Sequence, residues 1–86
     1  GDIVSKFYVR CLLADRPGVF GNVASILGKH SVSIKAAKQK AASEDAKAVP
    51  VVILTHDAKA SDLSAALKEI RESGVVMGEI VSLKMI

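Results

Sequence analysis

At 86 residues, net charge +3 and half its residues hydrophobic, the chain is long enough for one small domain and too apolar for a disordered tail. No apolar run reaches membrane-spanning length and no signal-peptide pattern is present, while a single cysteine excludes an internal disulfide and fits a reducing cytoplasm. Aromatic residues make up only 3%, which argues against a surface that stacks single-stranded nucleic acid.

The first element is predicted over residues 6–14. Phe7, Val9, Cys11 and Leu13 recur at period two, with Tyr8, Arg10 and Leu12 between them, the signature of a strand with one apolar face. Cys11 reads there as a small buried hydrophobe. The run stops at Asp15-Arg16-Pro17-Gly18, and apolar residues resume at helical spacing: Val19, Phe20, Val23, Ile26 and Leu27. The DRPG segment is thus a strand-to-helix turn. Pro17 suits a first helical turn, where a missing N–H costs nothing. Asp15 can accept hydrogen bonds from the free N–H groups. Gly18, without a Cβ, lets another backbone or a ligand approach. First-turn N–H groups favour an anion such as a carboxylate, although a tight, well-capped turn explains the same residues. The helix should end near residues 28–30.

Next comes "SVSIKAAKQK", in which Val32, Ile34 and Ala36 alternate with Ser33, Lys35 and Ala37, a second strand. Lys35, Lys38 and Lys40 read as charges that protect a sheet edge. "ASEDAK" is a hairpin tip. In "AVPVVILTH", the third strand, Val51, Ile53 and Thr55 face one side and Val52, Leu54 and His56 the other, with Pro50 near the start. "SDLSAALKEIRESG" is a helix, with Ser61 as its N-cap and Asp62 in its first turn. Leu63, Ala66, Leu67 and Ile70 form its apolar stripe, Lys68 and Glu72 can pair on its exposed side, and Gly74 ends it. A last strand lies in "EIVSLKMI".

Strand, helix, strand, strand, helix, strand is the order of a ferredoxin-like α+β sandwich: a four-stranded antiparallel sheet with both helices on one face. Strands 1 and 3 are then central, and strands 2 and 4 are edges. Both central strands are also apolar on their second face, through Tyr8, Leu12, Val52 and Leu54. Another copy or a neighbouring domain is expected to cover part of it. No metal-ligand spacing, phosphate loop or nucleophile elbow is present. His30 lies at a helix end, near the last carbonyls or in solvent. His56 beside Asp57 reads as a strand-end turn rather than an acid–base pair, and Met77 and Met85 as packing.

"DRPGVFGNVASILGKHSVSI", set in this topology, resembles the ACT domain, a small amino-acid-sensing module attached to metabolic enzymes. "KAVPVVILTHDAKASDLSAALKEI" and "VVMGEIVSLKMI" further resemble the C-terminal regulatory domain of bacterial homoserine dehydrogenases, whose tails carry P-V-V-I-L-T-H and I-V-S. Those runs stand here at residues 50–56 and 80–82. The resemblance implies one regulatory domain over residues 1–86, a fragment of a longer chain. It implies no catalytic residues, no metal and no cofactor of its own. The NAD(P)-dependent interconversion of aspartate semialdehyde and homoserine would belong to domains upstream. The implied partners are a small amino acid, threonine as the end product foremost, further copies through ACT–ACT contacts, and the upstream catalytic domains. No nucleic acid or membrane is implied, and the location is cytoplasmic. Carried over residue by residue, one wall of the effector site is Asp15, Gly18, Val19, Phe20 and Asn22. The other, usually from a partner domain, is Ser33 and Ile34, and Gln39 matches a polar position late in strand 2. The sequence departs from serine-sensing relatives, which carry asparagine at the position of Ser33 and histidine at that of Leu13. Two alternatives remain: a purely structural oligomerisation module, and an RNA-binding domain of the same topology, which lacks its aromatic platform here.

Overall fold

The computed structural model describes residues 3–40 and 47–85. Its elements are β1 (Val4–Ala14), α1 (Val19–Lys29), β2 (Ile34–Gln39), β3 (Ala48–Thr55), β4 (Ala58–Lys59), α2 (Ala60–Glu72) and β5 (Val81–Met85). β1 pairs antiparallel with β3, from Tyr8 opposite Leu54 to Ala14 opposite Ala48. On its other edge it pairs antiparallel with β5, from Lys6 opposite Met85 to Arg10 opposite Val81. β2 flanks β3. The long strands therefore lie in the order β2-β3-β1-β5, the ferredoxin-like arrangement expected. No helix among the described residues is long and apolar enough to cross a membrane.

The period-two and helical stripes converge on one core. Phe7, Val9, Cys11 and Leu13 of β1 and Val51 and Ile53 of β3 meet Val19, Val23 and Leu27 of α1 and Leu63, Ala66, Leu67 and Ile70 of α2, all buried. Phe20 and Ile26 lie at its margin, half-buried. Both helices thus cover the face that carries the odd-numbered residues of β1. Burial pushes the Cys11 thiol pKa up, as expected for a thiol packed as a hydrophobe.

Thr55 is the one buried polar residue among those described, 1% exposed. The regular β1–β3 ladder stops at Tyr8 and Leu54, and β1 resumes pairing at Ser5 opposite Ala58 in β4. Between them the Phe7 N–H donates to Thr55 Oγ1 at 3.0 Å. A side-chain hydroxyl supplies the acceptor that the interrupted ladder lacks. β4, two residues long, is too short to show any periodicity in sequence.

Helix ends account for most differences from expectation. Pro17 lies outside α1. Gly18, at φ +82°, occupies the N-cap position, and no side chain, Asp15 included, caps the helix. α2 starts at Ala60, one residue before its expected cap Ser61, with Lys59 at the N-cap position. The Ala60 N–H donates instead to the Ile3 carbonyl at 2.8 Å. Gly74, at φ +79°, ends α2 as anticipated. α1 ends in a Schellman turn: the Val32 N–H donates to the Leu27 carbonyl at 2.9 Å and the Ser31 N–H to the Gly28 carbonyl at 3.0 Å. Its left-handed position is held by Ser31 at φ +65°, where glycine is usual.

His30 is neither free nor confined to carbonyl contacts. Its Nε2–H donates to Glu69 Oε1 at 2.9 Å, and Lys29 Nζ pairs with the same oxygen at 3.0 Å. These contacts tie the end of α1 to α2 and hold the Glu69 carboxyl below its ordinary pKa, first through the His30 hydrogen bond and then through Lys29. The expected Lys68–Glu72 pair is absent among the described residues. The expected hairpin tip lies outside the described residues as far as Ala46.

Candidate functional site

A hollow of about 180 Å³ lies at the end of the sheet where β1 passes into α1, lined by residues that include Leu13, Asp15, Arg16, Gly18, Phe20, Gly21 and Gln39. Its floor follows from strand register. Leu13 sits opposite Val49, and Val51 sits opposite both Cys11 and Gln39. Partners in adjacent strands point to the same side of a sheet, so Gln39 shares the helix-side face with this apolar row. Ala14, Val19, Val49 and Val51 complete the lining.

The rim is the DRPG turn, and backbone bonds hold it in place. The Ala14 N–H donates to the Val75 carbonyl at 2.8 Å and the Asp15 N–H to the Lys47 carbonyl at 3.0 Å, so both sides of β1 fix its end. The Arg16 N–H then turns back to the Ala14 carbonyl at 3.0 Å, and the Val19 N–H reaches the Arg16 carbonyl at 3.4 Å. Gly18 completes the reversal at φ +82°, and a Cβ built on it meets nothing within 4 Å. The Asn22 N–H makes the first helical bond, to the Gly18 carbonyl at 3.0 Å. That leaves the N–H groups of Phe20 and Gly21 without an intrahelical acceptor, and no side chain caps them. Among the described residues the side chains of Asp15 and Arg16 have no ion-pair partner.

Of the residues singled out in sequence, Asp15, Gly18, Val19, Phe20 and Gln39 line this hollow together. Asn22 lies one turn further along α1, exposed and outside the lining. Ser33 precedes β2, and Ile34 pairs with Thr55 at the opposite end of the strand from Gln39. At about 3.3 Å per residue, Ile34 and Gln39 are about 16 Å apart along β2. Ser33 and Ile34 therefore do not reach the Asp15 hollow of their own chain. Arg16, Gly21 and Val49 also line the hollow, with Ala14 and Val51, and are not among the residues that the resemblance singles out. Arg16 and Gly21 stand beside selected residues in the turn and first helical turn, but Val49 and Val51 reach the hollow only through the β1–β3 register.

The ACT domain family matches residues 7–74, a span that includes most of β1, the DRPG turn, both helices and β2 to β4. The chain belongs to the ACT domain family. Its relatives include homoserine dehydrogenases. That of Methylobacillus glycogenes is 33% identical over 99% of this chain and 21% of its own length. That of Synechocystis is 38% identical over 83% of this chain and 16% of its own length. Among solved structures, the homoserine dehydrogenase of Thiobacillus denitrificans superposes with a TM-score of 0.84 at 29% identity, over 96% of this chain and 18% of that one. This ACT domain thus spans about a fifth of the length of the relatives it matches. No group of three or more His, Cys, Asp or Glu side chains suited to a metal ion occurs among its described residues.

Proposed function

We propose that this ACT domain is the amino-acid-sensing regulatory part of a homoserine dehydrogenase, with threonine as effector. The observation that carries the reading is the hollow beneath the first turn of α1. It joins an anionic side chain, unsatisfied helix N–H groups, an amide at Gln39 and an apolar floor. The Phe20 and Gly21 N–H groups suit the carboxylate of a small amino acid. Asp15 suits its ammonium group, and Gln39 can pair with a side-chain hydroxyl. Ser33 and Ile34 would close the site from a second copy, which makes the pocket an interface property. Binding there would shift the balance between two arrangements of the assembled chains. The reaction so controlled is the NAD(P)-dependent interconversion of aspartate semialdehyde and homoserine, performed in the cytoplasm by domains that accompany this one in its relatives.

Gly21 offers a clean test. It lines the hollow, its conformation is helical, and an added Cβ meets nothing within 4 Å. Gly21→Leu should fill the space without backbone strain, and leucine is the better helix former. Calorimetric titration of the full chain with threonine, serine, isoleucine and methionine should show threonine uptake in the wild type and none in Gly21→Leu. Threonine binding unchanged in a folded Gly21→Leu chain would place the effector elsewhere.

The second reading is a structural oligomerisation module, and one observation favours it. Leu12, Val81, Leu83 and Met85 stand 36–57% exposed, and register puts them with Tyr8, Val52 and Leu54 on the helix-free face. Sedimentation that shows assembly, with no heat from any of the four amino acids, would select this reading over sensing.

A further inference from the structure

We propose that Arg16 is the carboxylate-binding side chain of the effector site; this rests on the amino-acid reading of the hollow. The lining residues include one anionic and one cationic residue, Asp15 and Arg16, adjacent in sequence at the rim. They do not pair with each other, and the Arg16 side chain has no other ion-pair or hydrogen-bond partner among the described residues. The Asp15 amide is anchored to Lys47 and the Arg16 amide to Ala14, so the backbone holds both residues at the mouth while their side chains stay uncommitted. A pocket with two exposed, unpaired charges of opposite sign at one rim is complementary to a zwitterion. An anion alone would meet Asp15, and a cation alone would meet Arg16. A guanidinium can grip a carboxylate through two parallel hydrogen bonds, and the Phe20 and Gly21 N–H groups approach from the helix side. The division of labour follows: Arg16 and the helix take the carboxylate, Asp15 takes the ammonium group, and the apolar floor takes the side chain.

The test pairs a protein change with a ligand change. The full chain, as wild type, Arg16→Gln and Arg16→Lys, is titrated with threonine and with threoninol, which lacks the carboxylate. In the wild type threoninol should bind about ten- to a hundredfold more weakly than threonine, the range of a charge-assisted hydrogen bond. Arg16→Gln should weaken threonine by several-fold to about tenfold or more and leave threoninol nearly unchanged, so that the gap between the two ligands narrows to what the helix N–H groups contribute. Arg16→Lys should restore part of the preference. If Arg16→Gln still prefers threonine by the wild-type factor, another group holds the carboxylate and the assignment to Arg16 fails while the site stands. If the wild type binds none of the four amino acids named above, the sensing reading itself fails, and the assignment with it.

Discussion

Replacing Thr55 with valine isolates one hydrogen bond at the centre of the sheet. The two side chains have nearly the same shape, so packing at this buried position is kept while the acceptor for the Phe7 N–H is lost. That N–H is buried and bonds to Thr55 Oγ1 at 3.0 Å, at the point where the β1 ladder passes from β3 to β4. Leaving a buried donor unsatisfied costs about 1–3 kcal/mol. Unfolding entropy near 2.1 cal/mol/K per residue amounts to about 0.18 kcal/mol/K for a chain of this length. The predicted loss in Tm is therefore about 6–17 °C. Thr55→Ser keeps the hydroxyl and removes one methyl, a loss of roughly 0.8 kcal/mol or somewhat more with the small void it leaves. Thermal unfolding followed by circular dichroism should place serine above valine, the reverse of the order that hydrophobicity and β-propensity alone would give. Amide exchange at Phe7 should accelerate in the valine variant and not in the serine variant. A valine variant as stable as wild type, with Phe7 still protected, would refute the reasoning.

Ser31 sits at φ +65° in the turn that ends α1, so Ser31→Gly should stabilise the domain by up to about 1 kcal/mol, read as a rise in denaturation midpoint at unchanged slope. A fall would mean that the serine side chain contributes more than its strain costs. Glu69 has its folded-state pKa lowered by His30 and Lys29. The unfolded chain therefore binds more protons at the carboxylate, and stability rises with pH there. The contribution is complete above the ordinary carboxylate pKa and is lost as pH falls through the lowered one. Wild type should thus exceed Glu69→Gln in Tm at neutral pH, and the gap should close on acidification; a gap independent of pH would show that the ion pair is not its source.

The parts of the fold that could be read directly were those whose burial is local and periodic. Phe7, Val9, Cys11 and Leu13 announced the face of β1, and Leu63, Ala66, Leu67 and Ile70 that of α2. What escaped depends on partners distant in sequence. The Phe7–Thr55 bond, the Glu69 contacts with Lys29 and His30, and the pairing of β4 with the start of β1 are invisible in either segment alone. The site divides in the same way. Asp15, Gly18 and Phe20 are legible because they form one continuous turn, and Gln39 joins them through resemblance. The distance of Ser33 and Ile34 from that turn is decided by β2–β3 register, including the shift between Ile34 and Ala36. Gly18 drew attention as a place of close approach. Its positive φ, which makes the reversal into α1 possible, follows from a turn geometry that residue types alone do not specify.

The pairing of β1 with β5 also bears on how such a chain is made. Phe7 lies opposite Lys84 and Arg10 opposite Val81, so one edge of the central strand waits for residues translated more than 70 positions later. At 5–20 residues per second that edge stays unpaired for about 4–15 s, with its N–H and C=O groups available to any other strand. Contacts between such distant partners also slow the final step, because the loop entropy is lost before the pairing is gained. The hairpin side of the sheet, β2 on β3 and β3 on β1, can form first. β5 then closes the last open edge of β1, which makes its arrival the moment at which the apolar central strand stops being a template for aggregation and the exposure passes to the outer strands β2 and β5.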